Sequence, residues 1–542
     1  MLTYGIILNV AAPETWELQC IERLHQSKLG RLRHVVCAAS GADARKILDL
    51  APGAQVCDTA AAAAGGTVDF FLLFGDTGAA APLVDAARYG VWYFALSDLT
   101  RFSTAAPGFW EVRDGEDVTG AFLLRLGDDG GPGIALKSGY LPTIRQSFER
   151  NLESLLDAVT MWPQHVCWDI LHGAASYFDA PPMPPPPLHR GVPSAIDRAR
   201  MRVRERQSRA ASFVREKFYS IEWTIARVNE TPAQFIGGER RADVTYLYRS
   251  TKERYLADPC VIVRDARAFV FCEEYRKADR LGTVMVSELG KRGASAPQAV
   301  ITEAHHLSYP HVFEHGGETY CIPESGGIRK VCLYRCVEFP ATWEYVHTLI
   351  DGFEAADSTI VRHADRWWLF CTSSREAVKG HYSHLYVWHA NDLFGTWTQH
   401  VRNPVKIDAR SARPAGPFFT HEGQLYRPAQ DCSRSYGCAV RINRIDTLTP
   451  TDFAEIVVGT IRPPIGRYTR GLHTLCAAAD GCVVDVERYA FDPENARYAC
   501  TQTLKRALLR AGISQESLAW MKRRTTTREA AVMRTAQPSK VE

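Results

Sequence analysis

The sequence predicts a multidomain chain: an N-terminal α/β domain built on a mostly parallel sheet, then an all-β five-bladed β-propeller. Three observations predict it. Strand and helix signals alternate from the N-terminus to about residue 165. Beyond them a strand–turn–strand pattern recurs five times, at intervals of roughly 50 to 60 residues, the period of a four-stranded propeller blade. Each copy is preceded by a short polar motif. A chain of 542 residues also exceeds what one ordinary core accommodates.

The elements follow in order. Tyr4–Val10 is an apolar strand with no basic flank before it, so it is read as structure and not as a signal peptide. Glu14–Leu29 carries apolar residues at helical spacing, and His34–Ala38 returns to strand. Asp69–Phe74 fits a buried parallel strand, Leu83–Arg88 a helix and Val91–Ala95 a further strand. Domain one is expected over 1–178. A linker is expected over 179–212: six of the seven positions Pro181 to Pro187 are proline, which excludes helix or strand interior. Ser194 to Val228 then has a helical composition rich in arginine (Arg198, Arg200, Arg202, Arg204, Arg206, Arg209), suited to a solvated linker helix or to an anionic surface. The propeller is expected over 213–503. The basic tail, 504–542, is expected to form a short helix and then no fixed structure.

The five copies are Val261–Glu273, Val312–Glu324, Ile360–Thr372, Phe418–Gln430 and Leu475–Glu487. Their turns fall at Asp265, Gly316–Gly317, Ala364–Asp365, Glu422–Gly423 and Asp480–Gly481, the chemistry of tight hairpins. The motifs ahead of them are Ala257-Asp258-Pro259, His306-Leu307-Ser308-Tyr309-Pro310, Ala356-Asp357-Ser358, Arg413-Pro414-Ala415-Gly416 and Gly471-Leu472-His473-Thr474. Asp-Pro and Ser-Pro are ordinary turn formers. A polar residue at one place in every blade also converges on the channel axis, as a polar ligand would require.

Paired carboxylates in a polar pocket are what glycosidic-bond chemistry uses. Asp258 and Asp357 open blades one and three, and Glu324 ends the second strand of blade two, which makes these three the candidate catalytic groups. Glu273, Glu274, His306, Tyr309, Arg413, Arg427, Gln430, Asp431 and His473 are the candidate binders of hydroxyl or phosphate groups. Nothing in the spacing marks a metal or a cofactor: there is no P-loop, no GxGxxG after a strand, no HExxH and no zinc-ligand pattern. His381, His384 and His389 form the densest histidine group, but odd spacing on a strand sends neighbours to opposite faces.

Two resemblances follow from these residues. The Ala-Asp-Pro opening of blade one, the acidic ends of the second strands and the Asp that opens blade three resemble the five-bladed glycoside hydrolase and furanosidase group. Over residues 220–490, the strings His306-Leu307-Ser308-Tyr309-Pro310, Ile322-Pro323-Glu324-Ser325, Trp367-Trp368-Leu369-Phe370, Arg413-Pro414-Ala415-Gly416, Tyr426-Arg427-Pro428-Ala429-Gln430-Asp431 and Gly471-Leu472-His473-Thr474 resemble the N-terminal propeller of plant glucosamine inositolphosphorylceramide transferases and their bacterial relatives. In those plant proteins a separate glycosyltransferase domain follows, so their activity is not expected to transfer directly.

In domain one, Ala87-Arg88-Tyr89-Gly90-Val91-Trp92, Pro107-Gly108-Phe109-Trp110-Glu111, Val118-Thr119-Gly120 and Asp128-Asp129-Gly130-Gly131-Pro132 resemble the folate-dependent formyltransferases. That family uses an Asn-x-His pair and a downstream Asp. The matching positions here are Tyr93, Ala95 and Asp129, with Ser97 retained. Tyrosine and alanine supply neither the amide donor nor the base, so no formyl transfer is expected.

Composition sets the remaining expectations. A net charge of +3 gives no case for nucleic acid. No run of 18 apolar residues suggests a membrane span. Fifteen cysteines with no CxxC pair fit buried thiols in a reducing cytoplasm. The resulting expectation is a cytoplasmic carbohydrate-active protein of surface polysaccharide or glycolipid assembly. Its funnel would perform glycosyl transfer or glycoside cleavage, or bind a glycan or nucleotide-sugar without catalysis. A sugar N-formyltransferase is the third reading. Peripheral association with a glycan-assembly complex is the expected partnership.

Overall fold

The computed structural model describes residues 1–39, 43–58, 68–102, 106–128, 130–184, 190–251, 253–290, 293–373 and 380–510. The chain divides into two compact units, one formed by Met1–Ser208 with Glu222–Arg488 and one by Arg209–Ile221 with the chain from Tyr489 onward.

Domain one holds a seven-stranded sheet of β1 (Leu2–Asn9), β2 (Gly30–Cys37), β3 (Gln55–Cys57), β4 (Phe70–Gly75), β5 (Val91–Ala95), β6 (Val118–Leu126) and β7 (Pro132–Pro142), in the order β3-β2-β1-β4-β5-β6-β7. The four pairings among β1–β5 are parallel; β5–β6 and β6–β7 are antiparallel. The sheet is therefore mixed. Its central strands are apolar on both faces because both faces are covered. Tyr4, Ile6, Phe70, Leu72 and Trp92 face helices Thr15–Gln26, Phe148–Val159 and Trp162–Leu171. Ile7, Phe71, Leu73 and Tyr93 face the opposite side with Ala80 and Leu83.

Two expected elements differ. Leu83–Arg88 is not a helix: the helical turns lie earlier, as a 3-10 segment over Thr77–Leu83, where the Asp76 side chain accepts from the Gly78 amide and Pro82 sits near the end. Ala87 then bridges Val68. The arginine-rich helix covers Ala195–Phe218 and stops there, because Tyr219–Val228 is recruited as a strand.

That strand joins the last blade of the ring, with Val244–Tyr246 paired outside it. The five blades have inner strands Arg254–Arg264, Ser308–His315, Ala356–His363, Phe419–His421 and Leu475–Ala478. In blade five, Gly481–Phe491 lies between Leu475–Ala478 and the upstream Tyr219–Val228. Gly238–Arg241 adds in parallel to the outer edge of blade four. The inner hairpins turn on consecutive left-handed residues: Asp265–Ala266, Gly316–Gly317, Ala364–Asp365 and Glu422–Gly423 all have positive φ, as two-residue hairpin loops require.

The propeller covers the edge of the sheet. The Ala409 amide donates to the Tyr140 carbonyl at 2.8 Å, and Tyr140 bridges Asp408. All fifteen cysteines are free thiols, and Cys260, Cys272, Cys321 and Cys371 are buried in blade strands.

The second unit contains helix Pro493–Arg510, and the Asp492 amide donates to the Phe218 carbonyl. The rest of the expected tail lies outside the described residues.

Candidate functional site

In the first three blades the motif ahead of the repeat is a β-bulge. In blade one, Asp258 and Pro259 stand against one residue of the next strand; Tyr309–Pro310 and Asp357–Ser358 repeat this in blades two and three. The first residue of each bulge is left-handed, with φ +55° at Asp258, +44° at Tyr309 and +53° at Asp357. Asp tolerates this region through local hydrogen bonding; Tyr rarely does. In blade four the left-handed residue is Gly416, φ +118°, one position nearer the hairpin. A β-carbon there would come within 2.1 Å of the Leu475 carbonyl oxygen, so this blade keeps glycine.

The amides of these residues are held across blades. Asp258 N–H donates to Asp485 Oδ2 at 2.8 Å, Tyr309 N–H to Asp258 Oδ2 at 3.3 Å and Asp357 N–H to Glu324 Oε2 at 2.9 Å. Gly416 N–H donates to the Tyr309 hydroxyl, so that phenol links blade two to blade four. Side chains from blades one, two, three and five thus converge at one end of the ring.

Two charged clusters sit side by side there. In the first, His473 Nδ1 lies 2.7 Å from Asp485 Oδ1, and its Nε2 lies 3.2 Å from Asp258 Oδ1. Burial alone would lower the imidazole pKa, but Asp485 and Asp258 lift it to about 9, so the ring is charged at neutral pH. Burial raises Asp258 to about 6 against the pull of His473. The three ligand atoms lie within 4.8 Å of one another, close enough to share a cation, yet the imidazolium already stands between the carboxylates. In the second cluster, Arg413 grips Asp357, Gln430 Nε2 donates to Asp357 Oδ2 at 2.6 Å, and Glu324 Oε2 lies 3.7 Å from Arg413. Burial raises Asp357 to about 7 although Arg413 opposes it.

Glu273 is buried at the same end, and burial, then Asp258, Glu324 and Asp357, push it well above the carboxylate range. His306, half-exposed, lies 3.5 Å from it, and burial lowers the His306 pKa.

Aromatic rings surround these charges. Trp223 lies 4.0 Å from the His473 ring, Tyr436 meets His473 edge-on, and the Arg413 guanidinium lies over Tyr436 at 5.1 Å. Tyr382 contacts Tyr436 in turn.

The structure therefore brings together Asp258, Glu273, Tyr309, Glu324, Asp357, Arg413, Gln430 and His473. Other expected binders are engaged elsewhere. Arg427 lies three residues from Gln430 and so on the opposite strand face; it donates to Glu455 and to the carbonyls of Ser411 and Ala412. Asp431 is taken up by Arg441 and Ser433. Glu274 pairs with Arg254. Sequence reasoning missed Asp485, Trp223, Tyr382 and Tyr436. Asp485 was accessible: it precedes the polar end of the fifth repeat by two residues, on the same strand face. Tyr436 and Tyr382 lie in inter-strand connections that the repeat does not register.

In domain one a crevice of about 470 Å³ opens at the carboxyl ends of β1, β4 and β5, where strand order reverses. Tyr93 lines it, Ala95 is buried, the Ser97 hydroxyl is buried, and Asp129 lies outside the described residues. Burial raises Tyr93 to about 12.

Among the described residues, no helix is long and apolar enough to cross a membrane. Among solved structures, the fold is similar to Zg3597, a family 117 glycoside hydrolase of Zobellia galactanivorans, at TM-score 0.34 and 10% identity over 49% of this chain and 81% of that one. It is also similar to the catalytic domain of the Coprinopsis cinerea GH62 α-L-arabinofuranosidase, at TM-score 0.32 and 13% identity over 50% and 99%. By sequence, the chain is 34% identical over 209 residues to glucosamine inositolphosphorylceramide transferase 1 of Oryza sativa subsp. japonica, covering 38% of this chain and 28% of the rice protein. The Arabidopsis thaliana protein of that name is 33% identical over 208 residues, with 38% and 27% covered. Apart from the added edge strand Gly238–Arg241, blades one to four lie within residues 243–465, and that stretch matches the family described as glucosamine inositolphosphorylceramide transferase 1, N-terminal.

Proposed function

We propose that the chain is a carbohydrate-active protein of surface polysaccharide or glycolipid biosynthesis, and that the funnel of the propeller acts on a glycosidic bond. The observation that carries this reading is the convergence of Asp258, Glu273, Glu324 and Asp357 beside Tyr436 and Trp223. Carboxylates hydrogen-bond sugar hydroxyls, and aromatic faces take the apolar side of a sugar ring. Glu324 is the group best suited to exchange a proton with a ligand. Its side chain keeps 20% of its surface open, whereas that of Asp357 keeps 3% and is tied to Arg413. Asp258 is the second carboxylate of the pair, and Asp357 positions Glu324 through its backbone amide.

A second reading, a glycan-binding module without turnover, is favoured by one observation. Asp258 and Asp357 each hold several internal hydrogen bonds, as scaffold groups do. A glycan and nucleotide-sugar screen on the wild type, Asp258→Asn and Glu324→Gln separates them. Turnover by the wild type that falls at least a hundredfold in Glu324→Gln supports catalysis. Retained binding with no turnover in any of the three supports the module. Unchanged turnover in both variants removes the funnel carboxylates from the chemistry.

The formyltransferase resemblance of domain one rests on sequence. We read that domain as a catalytically silent scaffold, since Tyr93 and Ala95 replace the amide and the base. A saturable thermal shift with a folate donor would overturn this.

A further inference from the structure

A second cavity, of about 290 Å³, lies where the edge of the N-terminal sheet meets the propeller. That volume is roughly ten waters, the size of a phosphorylated monosaccharide. β7 contributes Lys137 and Ser138, helix Trp162–Leu171 contributes Trp162 and His165, and the outer part of blade three contributes Arg402 and Lys406.

Three basic side chains line this wall, and their acidic partners do not; burial lowers the Lys137 pKa, and Asp169 opposes that shift. Lys137 and Arg402 both reach Asp169, at 2.7 and 3.5 Å; Arg402 also pairs with Asp452, and Lys406 with Glu455 at 2.8 Å. Glu455 is shared in turn with Arg427. The one carboxylate on the wall, Asp408, has each oxygen held by Arg410 at 2.9 Å. Counted by ion pairs, five basic groups (Lys137, Arg402, Lys406, Arg410, Arg427) meet four acids (Asp169, Asp408, Asp452, Glu455), and Asp98 acts on Arg410 and Tyr140 from farther off.

Two further features favour an anion. Trp162 and His165 occupy the first turn of their helix, whose N-terminus has no side-chain cap. Such a terminus presents a partial positive charge, although Pro163 brings no amide to this turn and the His165 N–H is bonded to the Met161 carbonyl. The Trp162 indole N–H is buried and finds no acceptor among the described residues. Burial, reinforced by Lys137, holds the His165 pKa down to about 3, a bias that a bound anion would reverse.

We infer that this cavity binds the phosphate group of a small molecule and fastens the sheet edge to the propeller through it. Trp162, Ser138 and His165 donate to phosphate oxygens, while Lys137, Arg402 and Lys406 neutralise the charge. The site is independent of the funnel. Calorimetric titration of the full chain with inorganic phosphate, a hexose 1-phosphate and the free hexose tests it. Saturable binding of phosphate is expected, at least tenfold weaker in Trp162→Phe, which keeps an aromatic ring and deletes the donor, and in Lys406→Gln. The hexose phosphate binding more tightly than phosphate identifies a sugar phosphate; equal affinities identify free phosphate. The His165 imidazole resonance, assigned by its loss in His165→Gln, should titrate at least one pH unit higher with phosphate in the wild type. This readout stands if the other variants fail to fold. No saturable binding, no movement of His165, or unaltered affinity in folded Trp162→Phe and Lys406→Gln would overturn the inference.

Discussion

Arg413 holds Asp357 through two parallel contacts, Nε to Oδ2 at 2.6 Å and Nη2 to Oδ1 at 3.0 Å, joining blade four to blade three inside the funnel. Removing one partner of a buried pair strands the other, at about 3–5 kcal/mol. Arg413→Met should lower unfolding free energy by about that amount in urea titrations. The double variant Arg413→Met/Asp357→Asn should recover part of the loss.

The His473 relay predicts a pH dependence. Its pKa is raised in the folded state to about 9, so the folded chain binds that proton more tightly than the unfolded chain does. The stabilisation is complete below about 6.5 and is lost as pH rises through 9. A rise of this size corresponds to ~3 kcal/mol. Melting temperatures measured from pH 6 to 10 should fall, and His473→Gln should flatten that fall. Asp258 and Asp357, raised to about 6 and 7, add a decline of the same sign between about pH 4 and 7.

Tyr309→Phe should leave the ring in place and the Gly416 amide without its acceptor. A buried unpaired amide costs about 1–3 kcal/mol. Chemical denaturation should show a loss in that range.

The Ala364–Asp365 turn should be improvable. Both residues adopt left-handed backbone, at φ +48° and +60°. Replacing them with Asn-Gly should raise stability by about 1 kcal/mol, measured by thermal unfolding.

Arg427→Lys should lower stability without changing glycan affinity. A lysine cannot reproduce the guanidinium fork shared between Glu455 and the carbonyls of Ser411 and Ala412. Isothermal titration beside unfolding curves distinguishes this from a ligand-binding role.

Much of the ring was legible because each hairpin demands the same local chemistry. Turn residues at Gly316–Gly317 and Glu422–Gly423, alternating apolar strands and a polar residue at Glu273, Glu324, Gln430 and Glu487 all recur at one register. The positions of Asp258, Tyr309 and Asp357 were visible for the same reason, although their left-handed bulges were not. What escaped depends on contacts between distant segments. Arg427 carries the same charge as Arg413, and only strand parity and Glu455 show that it turns away from the funnel. Tyr219–Val228 continues a helical composition, and pairing with a strand more than 250 residues later overrides it. The Leu83–Arg88 segment has helical spacing, but Asp76 and Pro82 place the helical turns one step earlier.

The recruitment of Tyr219–Val228 into blade five has a mechanical consequence. A ring whose final sheet is finished by the strand preceding its first cannot shed its last blade from the C-terminal side alone. Pulling on either end of the propeller loads the same clasp. Fragments that begin at residue 254 should therefore lose cooperativity throughout, rather than merely losing one edge.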